Sequence, residues 1–198
     1  MIRSGQVNEV NWDSGSWVFL DVGFSNNSKS CGLLIGDNTP IGLRFGEVLN
    51  EISSYVINSS APINLVLEAP LSVAFDKNGN PKGRSIEKEN EMTRYWYVGL
   101  GCTVMVAVMY ILKELEKVCS DKELRLFEGF VSFKEKQKRT SHSRDVLLLR
   151  EVVKAPLNFK EAIVSDEKLR MDKSDILQSA FIVAGRNYGI PPVIIRNG

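Results

Sequence analysis

Two apolar, β-favouring runs, Trp17 to Leu20 and Ile63 to Leu67, each stop on a carboxylate: Asp21 in "FLDVG" and Glu68 in "VLEAPL". Short runs of this composition read as strands buried on both faces. An ionised side chain at the end of such a run is costly to bury unless a partner receives it. Capping a turn would account for Asp21 alone. It accounts less well for Glu68, which Ala69 and Pro70 follow at once. What the chain can do therefore depends on whether the two acids meet, and on what meets them.

The surrounding pattern predicts how they are carried. "SWVFLDVG", "SKSCGLLIGDN" and "TPIGLRFGE", with turn signals at Asn26-Asn27 and Asp37-Asn38, read as an antiparallel meander. Val48, Leu49, Ile52, Tyr55 and Val56 fall at helical intervals in the next segment. "INLVLEAPL" is a fourth strand, broken by Pro70. "SVAFDKNGNPKGR" reads as a mobile loop. A long helix is expected from Ser85 to Cys119, then a fifth strand, "ELRLFEGFVSF", with Glu128 near its end. "SHSRDVLLLREVVK" is a helix, "NFKEAIVSDEKLR" a weaker one, and "DKSDILQSAFIVAGRNYG" a last helix stopped at Gly189. "PPVIIR" reads as an edge strand. This order predicts an α/β fold with a mixed five- or six-stranded sheet, meander plus parallel strands, flanked by helices. The expectation is one domain over residues 1–198, with 1–15 as a flexible lead-in.

Composition narrows the function classes. The net charge of +1 gives no global basic field, so any nucleic-acid contact must use local patches. Three dispersed cysteines, Cys31, Cys102 and Cys119, form neither a disulfide framework nor a zinc motif. The first residues lack the apolar core of a secretory signal, and the apolar run Val98 to Leu112 is shorter than the roughly 20 residues of a membrane span. A cytoplasmic protein with no membrane contact is expected.

If the first and fourth strands are parallel neighbours, Asp21 and Glu68 end side by side at the edge where open α/β sheets bind ligands. Asp172 and Asp175, three apart at the start of the expected last helix, can point to the same edge. Converging carboxylates need a cation, and all-oxygen ligands suit Mg²⁺ or Mn²⁺ rather than zinc. Two such ions roughly 3.5–4 Å apart can hydrolyse a phosphodiester.

This constellation resembles the ribonuclease-H-like superfamily, nearest its RuvC-type branch. "VLEAPL", "GRSIEKENEMTR", "LFEGFVSF" and "DKSDILQSAFIVAG" are similar to motifs of one of its members, the uncharacterised family of predicted RNase-H-like nucleases. Glu68 stands where that family carries Asp and matches the RuvC-type Glu; "EGFVSF" lacks the family's proline after the glutamate. The resemblance implies a nuclease whose catalytic, metal-holding residues are Asp21, Glu68, Asp172 and Asp175. Arg84, Arg94 and Lys82 would grip a phosphate. Glu128 would stand with them at the substrate side, pairing an arginine or reaching a metal. The basic run at 134–139, "KEKQKR", reads as a solvated connector that could also meet a nucleic-acid backbone. His142, the lone histidine, reads as part of a helix start. The expected partner is nucleic acid, DNA and RNA being equally open, as is a homodimer.

Two rivals remain at this stage. One is a non-catalytic nucleic-acid or protein binding module on the same fold. The other is a nucleotide-handling protein of the actin and sugar-kinase type. The latter resembles two such halves around a cleft, and 198 residues supply one.

Overall fold

A computed structural model describes residues 1–24, 29–89, 92–93, 100–132 and 141–197. Thirteen strands lie among them: β1 (Ile2–Ser4), β2 (Ser16–Asp21), β3 (Cys31–Ile35), β4 (Ile41–Leu43), β5 (Ile63–Glu68), β6 (Ser72–Phe75), β7 (Pro81–Lys82), β8 (Lys88–Glu89), β9 (Met92–Thr93), β10 (Leu124–Ser132), β11 (Ile163–Val164), β12 (Ile176–Ser179) and β13 (Val193–Asn197). The α-helices are α1 (Phe45–Asn58), α2 (Leu100–Glu116) and α3 (His142–Lys154).

The main sheet runs β11-β13-β10-β5-β2-β3-β4, with β1 also on β10. β2, β5, β10 and β13 are parallel neighbours in turn, while β3 and β4 continue antiparallel. This mixed α/β sheet is larger than the five or six strands expected. The added strands are short ones whose few residues carry too little pattern to read. β1 lies in the stretch expected to be a flexible lead-in, and pairs Ile2 to Ser4 with Leu124 to Leu126.

The central strands are apolar on both faces because helices cover both. Side chains alternate along a strand. Val18 and Leu20 of β2 join Leu65 and Leu67 of β5 under α1 (Val48, Ile52, Val56) and α2 (Val108, Ile111, Leu115). Trp17 and Phe19 join Val66 and Phe127 under α3 (Val146, Leu149, Val152, Val153). By the same alternation Asp21 and Glu68, last in their strands, belong to the α3 face.

Several expectations need correction. The segment after Glu68 is not an irregular loop. It forms the β6–β7 hairpin of a second, three-stranded sheet, ordered β12-β6-β7. Its turn is held by Asp76, whose Oδ1 accepts from the amides of Asn78 and Asn80, with Gly79 at φ +83°. The helix expected from Ser85 is described from Leu100; residues 85–87 form a 3-10 turn and β8 pairs with β9. The final segment is not a helix. Ile176 to Ser179 alternate exposed and buried and pair with β6, a 3-10 turn follows over 180–184, and Gly185 ends it at φ +69°. Asp172 and Asp175 sit at helical spacing, but the period-2 burial after them wins. β13 is not an edge strand, since β11 pairs with its outer side. The turn at Asn26-Asn27, Arg94 and the 134–139 run lie outside the described residues. No described helix is long and apolar enough to cross a membrane.

β1 is tied to the start of β10 by charge. Arg3 Nε lies 2.9 Å from Glu123 Oε1, and Arg125 Nη2 lies 2.9 Å from its Oε2. Hydrogen bonding from Arg125, then from Arg3, draws the Glu123 carboxyl down to about 2 despite its partial burial. A carboxyl lowered on folding stabilises the protein above its unfolded value of about 4.3, and loses that contribution as pH falls through the folded one. Acid melts of the wild type and Glu123→Gln should therefore diverge in slope between about pH 4 and about pH 2, the variant losing less stability. Parallel curves through that window would show that this cluster does not couple to folding.

Candidate metal centre

The parallel pairing of β2 with β5 runs in a register that sets Asp21 directly opposite Glu68. Their side chains end on the face that α3 covers. α3 begins at His142, with Ser141 as its N-cap residue, and Ser141 O accepts from the amides of Arg144 and Asp145. Asp145 is thus in the first turn, on the helix's buried side with Leu149 and Val152. One ligand oxygen from each of Asp21, Glu68 and Asp145 lies within 4.8 Å of the others. The three residues are 5%, 9% and 2% exposed. His142 Nδ1 lies 2.7 Å from Asp21 Oδ2, with its own side chain 45% exposed, so the imidazole stands at the solvent side of the group.

Close approach of α3 makes this convergence geometric. Gly32 of β3 is the register partner of Asp21. A Cβ there would stand 2.4 Å from the backbone carbon and oxygen of His142. Further along, a Cβ on Gly129 of β10 would meet Leu149 Cδ1 at 2.7 Å. The absent side chains let the helix lie on the sheet and deliver Asp145 beside the strand-end acids. The positive end of the helix dipole also favours anionic groups at its first turn.

The set could hold a hard cation. Three carboxylates at this separation repel when ionised, and burial makes that repulsion expensive. All-oxygen donors of this kind suit Mg²⁺ or Mn²⁺.

The structure brings together two of the residues expected from the sequence, Asp21 and Glu68, and adds Asp145 and His142. Asp172 and Asp175 lie elsewhere in the described residues. Lys82 Nζ is 2.9 Å from Asp172 Oδ2 and 2.9 Å from Asp175 Oδ1. Asp175 Oδ2 accepts from the amides of Met171 and Asp172, so this acid closes a turn. The lysine contact holds its carboxyl below the usual range. Lys82, expected to grip a phosphate, spends its charge on those two acids. Arg84 cannot grip one either: it is fully buried, bonded to Glu87, Ser72 and Glu128. Glu128 is equally buried, and desolvation pushes its carboxyl up against the pull of Arg84. Of the two roles expected for Glu128, the pairing with an arginine is the one present.

Asp145 had a signal in the sequence. In "HSRDVLLLREVV" the acid occupies the register of Leu149 and Val152, an apolar stripe where an ordinary first-turn acid would turn outward. Comparison of the chain with family models, with curated proteins and with solved structures gives no match in any of the three.

An alanine at position 32 tests the geometry. The contacted atoms are backbone and cannot rotate away, so Gly32→Ala should cost about 1–3 kcal/mol, the usual range for overpacking. Denaturant melts measure it, and an unchanged midpoint would mean that α3 shifts freely on the sheet.

Proposed function

We propose that Asp21, Glu68 and Asp145 hold Mg²⁺ or Mn²⁺, and that the chain is a metal-dependent nuclease of ribonuclease-H-like architecture. The observation that carries this reading is the meeting of one oxygen from each of three buried carboxylates, from β2, β5 and α3, within 4.8 Å. The sheet supports it: a central strand with two antiparallel strands on one side and parallel strands on the other, acids at two neighbouring strand ends, and a helix covering them. That arrangement resembles the ribonuclease-H-like order.

Bound ions would supply an activated water and stabilise the leaving oxygen of a phosphodiester. The chain's own residues do the holding. Asp21 and Glu68 come from strands fixed in register, so their spacing is set by the backbone rather than by a loop. Asp145 comes from a helix pinned by Gly32 and Gly129. His142 keeps the Asp21 carboxylate turned towards the group from the half-exposed side, where a polyanionic substrate would arrive. Nucleic acid, DNA or RNA, is the substrate class that such a centre takes.

Metal-linked stability decides the ligand set. At tenfold Mn²⁺ over the wild-type dissociation constant, the wild type should gain about 1.4 kcal/mol. Asp145→Asn should lose most of that gain, and Asp175→Asn should keep it. The same Asp145→Asn protein should show no Mn²⁺-dependent cleavage of single- or double-stranded DNA or RNA. The opposite pattern, with Asp175→Asn losing the gain and Asp145→Asn keeping it, would return the centre to the residues that the sequence first suggested. A wild type that Mn²⁺ does not stabilise ends the reading.

A further inference from the structure

A second group of buried charge lies across the sheet from the acids. Glu128 of β10 is the register partner of Leu67, the residue before Glu68. By strand alternation it shares the α1 and α2 face with Leu126, whereas Glu68 faces α3. Arg84, Glu87 and Glu128 are all 0% exposed. Arg84 Nε and Nη2 reach Glu87 Oε1 at 3.1 and 3.0 Å; Nη1 reaches Glu128 Oε2 and Ser72 Oγ, both at 2.9 Å. Nη2 also stands 2.8 Å from Glu128 Oε1. The fork therefore joins the 3-10 turn at 85–87, strand β10 and the start of β6.

The place where it joins them is the exit of β5. Glu128 Oε2 accepts from the amide of Leu71 at 2.8 Å, and the carbonyl of Leu71 accepts from Ala180 at 2.9 Å. Both sides of the Leu71 residue are thus fixed, three residues after Glu68. Between them Ala69 N turns back to Leu67 O at 2.8 Å, and Pro70 restricts the chain. Glu68 sits at a bend held at its near end by the ladder with β2 and at its far end by the Arg84 group.

Buried ion groups seldom add stability over apolar replacements of similar volume. Directed, multidentate bonds do fix geometry. We propose that Arg84 and Glu128 are positioning residues for Glu68: the buried network clamps the β5 exit at Leu71 and Ser72, and so sets the orientation in which the Glu68 carboxylate meets Asp21 and Asp145. The proposal rests on the metal-site reading above and assigns Arg84 a role different from a phosphate grip.

The test replaces the network without leaving a lone buried charge. Arg84→Met/Glu87→Met/Glu128→Met keeps volume and removes the clamp on Leu71; Glu128→Gln keeps an acceptor for the Leu71 amide. Mn²⁺ binding is followed by its electron paramagnetic resonance spectrum. The triple variant should bind about tenfold or more weakly, as loss of groups that orient metal ligands does, with an altered line shape. Glu128→Gln, which keeps the acceptor for Leu71 but sets an amide NH2 against Arg84 Nη2, should lose less than the triple variant. A folded triple variant with wild-type affinity and spectrum overturns the proposal, as does a loss in Glu128→Gln equal to that of the triple variant. If the triple variant does not fold, Arg84→Lys replaces it: a folded Arg84→Lys with wild-type affinity overturns the proposal, and one with weakened affinity and an altered spectrum supports it. If the wild type binds no Mn²⁺, the metal reading has failed and crystal structures of the variants decide the positioning alone. A Glu68 carboxylate moved by about 1 Å or more relative to Asp21 supports it, since sites tolerate only about 0.5 Å. An unmoved carboxylate overturns it.

Discussion

The parallel pairing of β2 with β5 is the constraint on which the rest of the molecule depends. Its register aligns Ser16 with Ile63 and ends by aligning Asp21 with Glu68. Because side chains alternate, a slip of one residue would turn one acid to the opposite face and would also invert a buried apolar set. The same packing that makes Trp17, Phe19 and Val66 core residues under α3 therefore fixes the face on which the acids emerge. Core formation and site formation are one event on these two strands.

The third acid depends on a different kind of constraint, the distance at which a helix can lie on a sheet. Glycine at 32 and 129 removes the side chains that would lift α3. The apolar stripe of Val146, Leu149, Val152 and Val153 holds the helix down. Asp145 follows because it shares that stripe. His142, one turn earlier, is brought over Asp21 by the same seat, where its half-exposed ring joins the buried group to solvent.

What could be read from the sequence follows from these physical differences. Asp21 and Glu68 were legible because an acid ending an apolar strand run contradicts the run's own burial. The five main strands were legible as short β-favouring runs bounded by turn residues, and α1 through apolar residues at helical intervals. Asp145 was hidden because first-turn acids are common at helix starts, and only its register with Leu149 and Val152 sets it apart. Asp172 and Asp175 misled because a turn closed by an acid that reaches back to amides three and four residues earlier shares its three-residue spacing with a helix start. Strands β6, β7 and β12 are two to four residues long and gain their order from pairing with one another, so local sequence carried little of them. Arg84 and Glu128 looked like surface chemistry because burial of a charge depends on partners far along the chain, here 44 residues apart.

The molecule thus handles buried acid in two ways at one end of one sheet. Glu87 and Glu128 share a guanidinium built into the chain, that of Arg84, which also bonds Ser72. Asp21, Glu68 and Asp145 come from three elements, with an imidazole at the open side. A fixed cation makes a joint, because its charge is always present and its geometry is planar and directed. Among the described residues no such cation is built against the three carboxylates, only the half-exposed His142 ring beside Asp21. Burial does not distinguish the two groups, since both are almost equally hidden from water. The Arg84 group lies behind β5 and the three acids in front, so the strand end carrying Glu68 is held from the face opposite the one on which the acids meet.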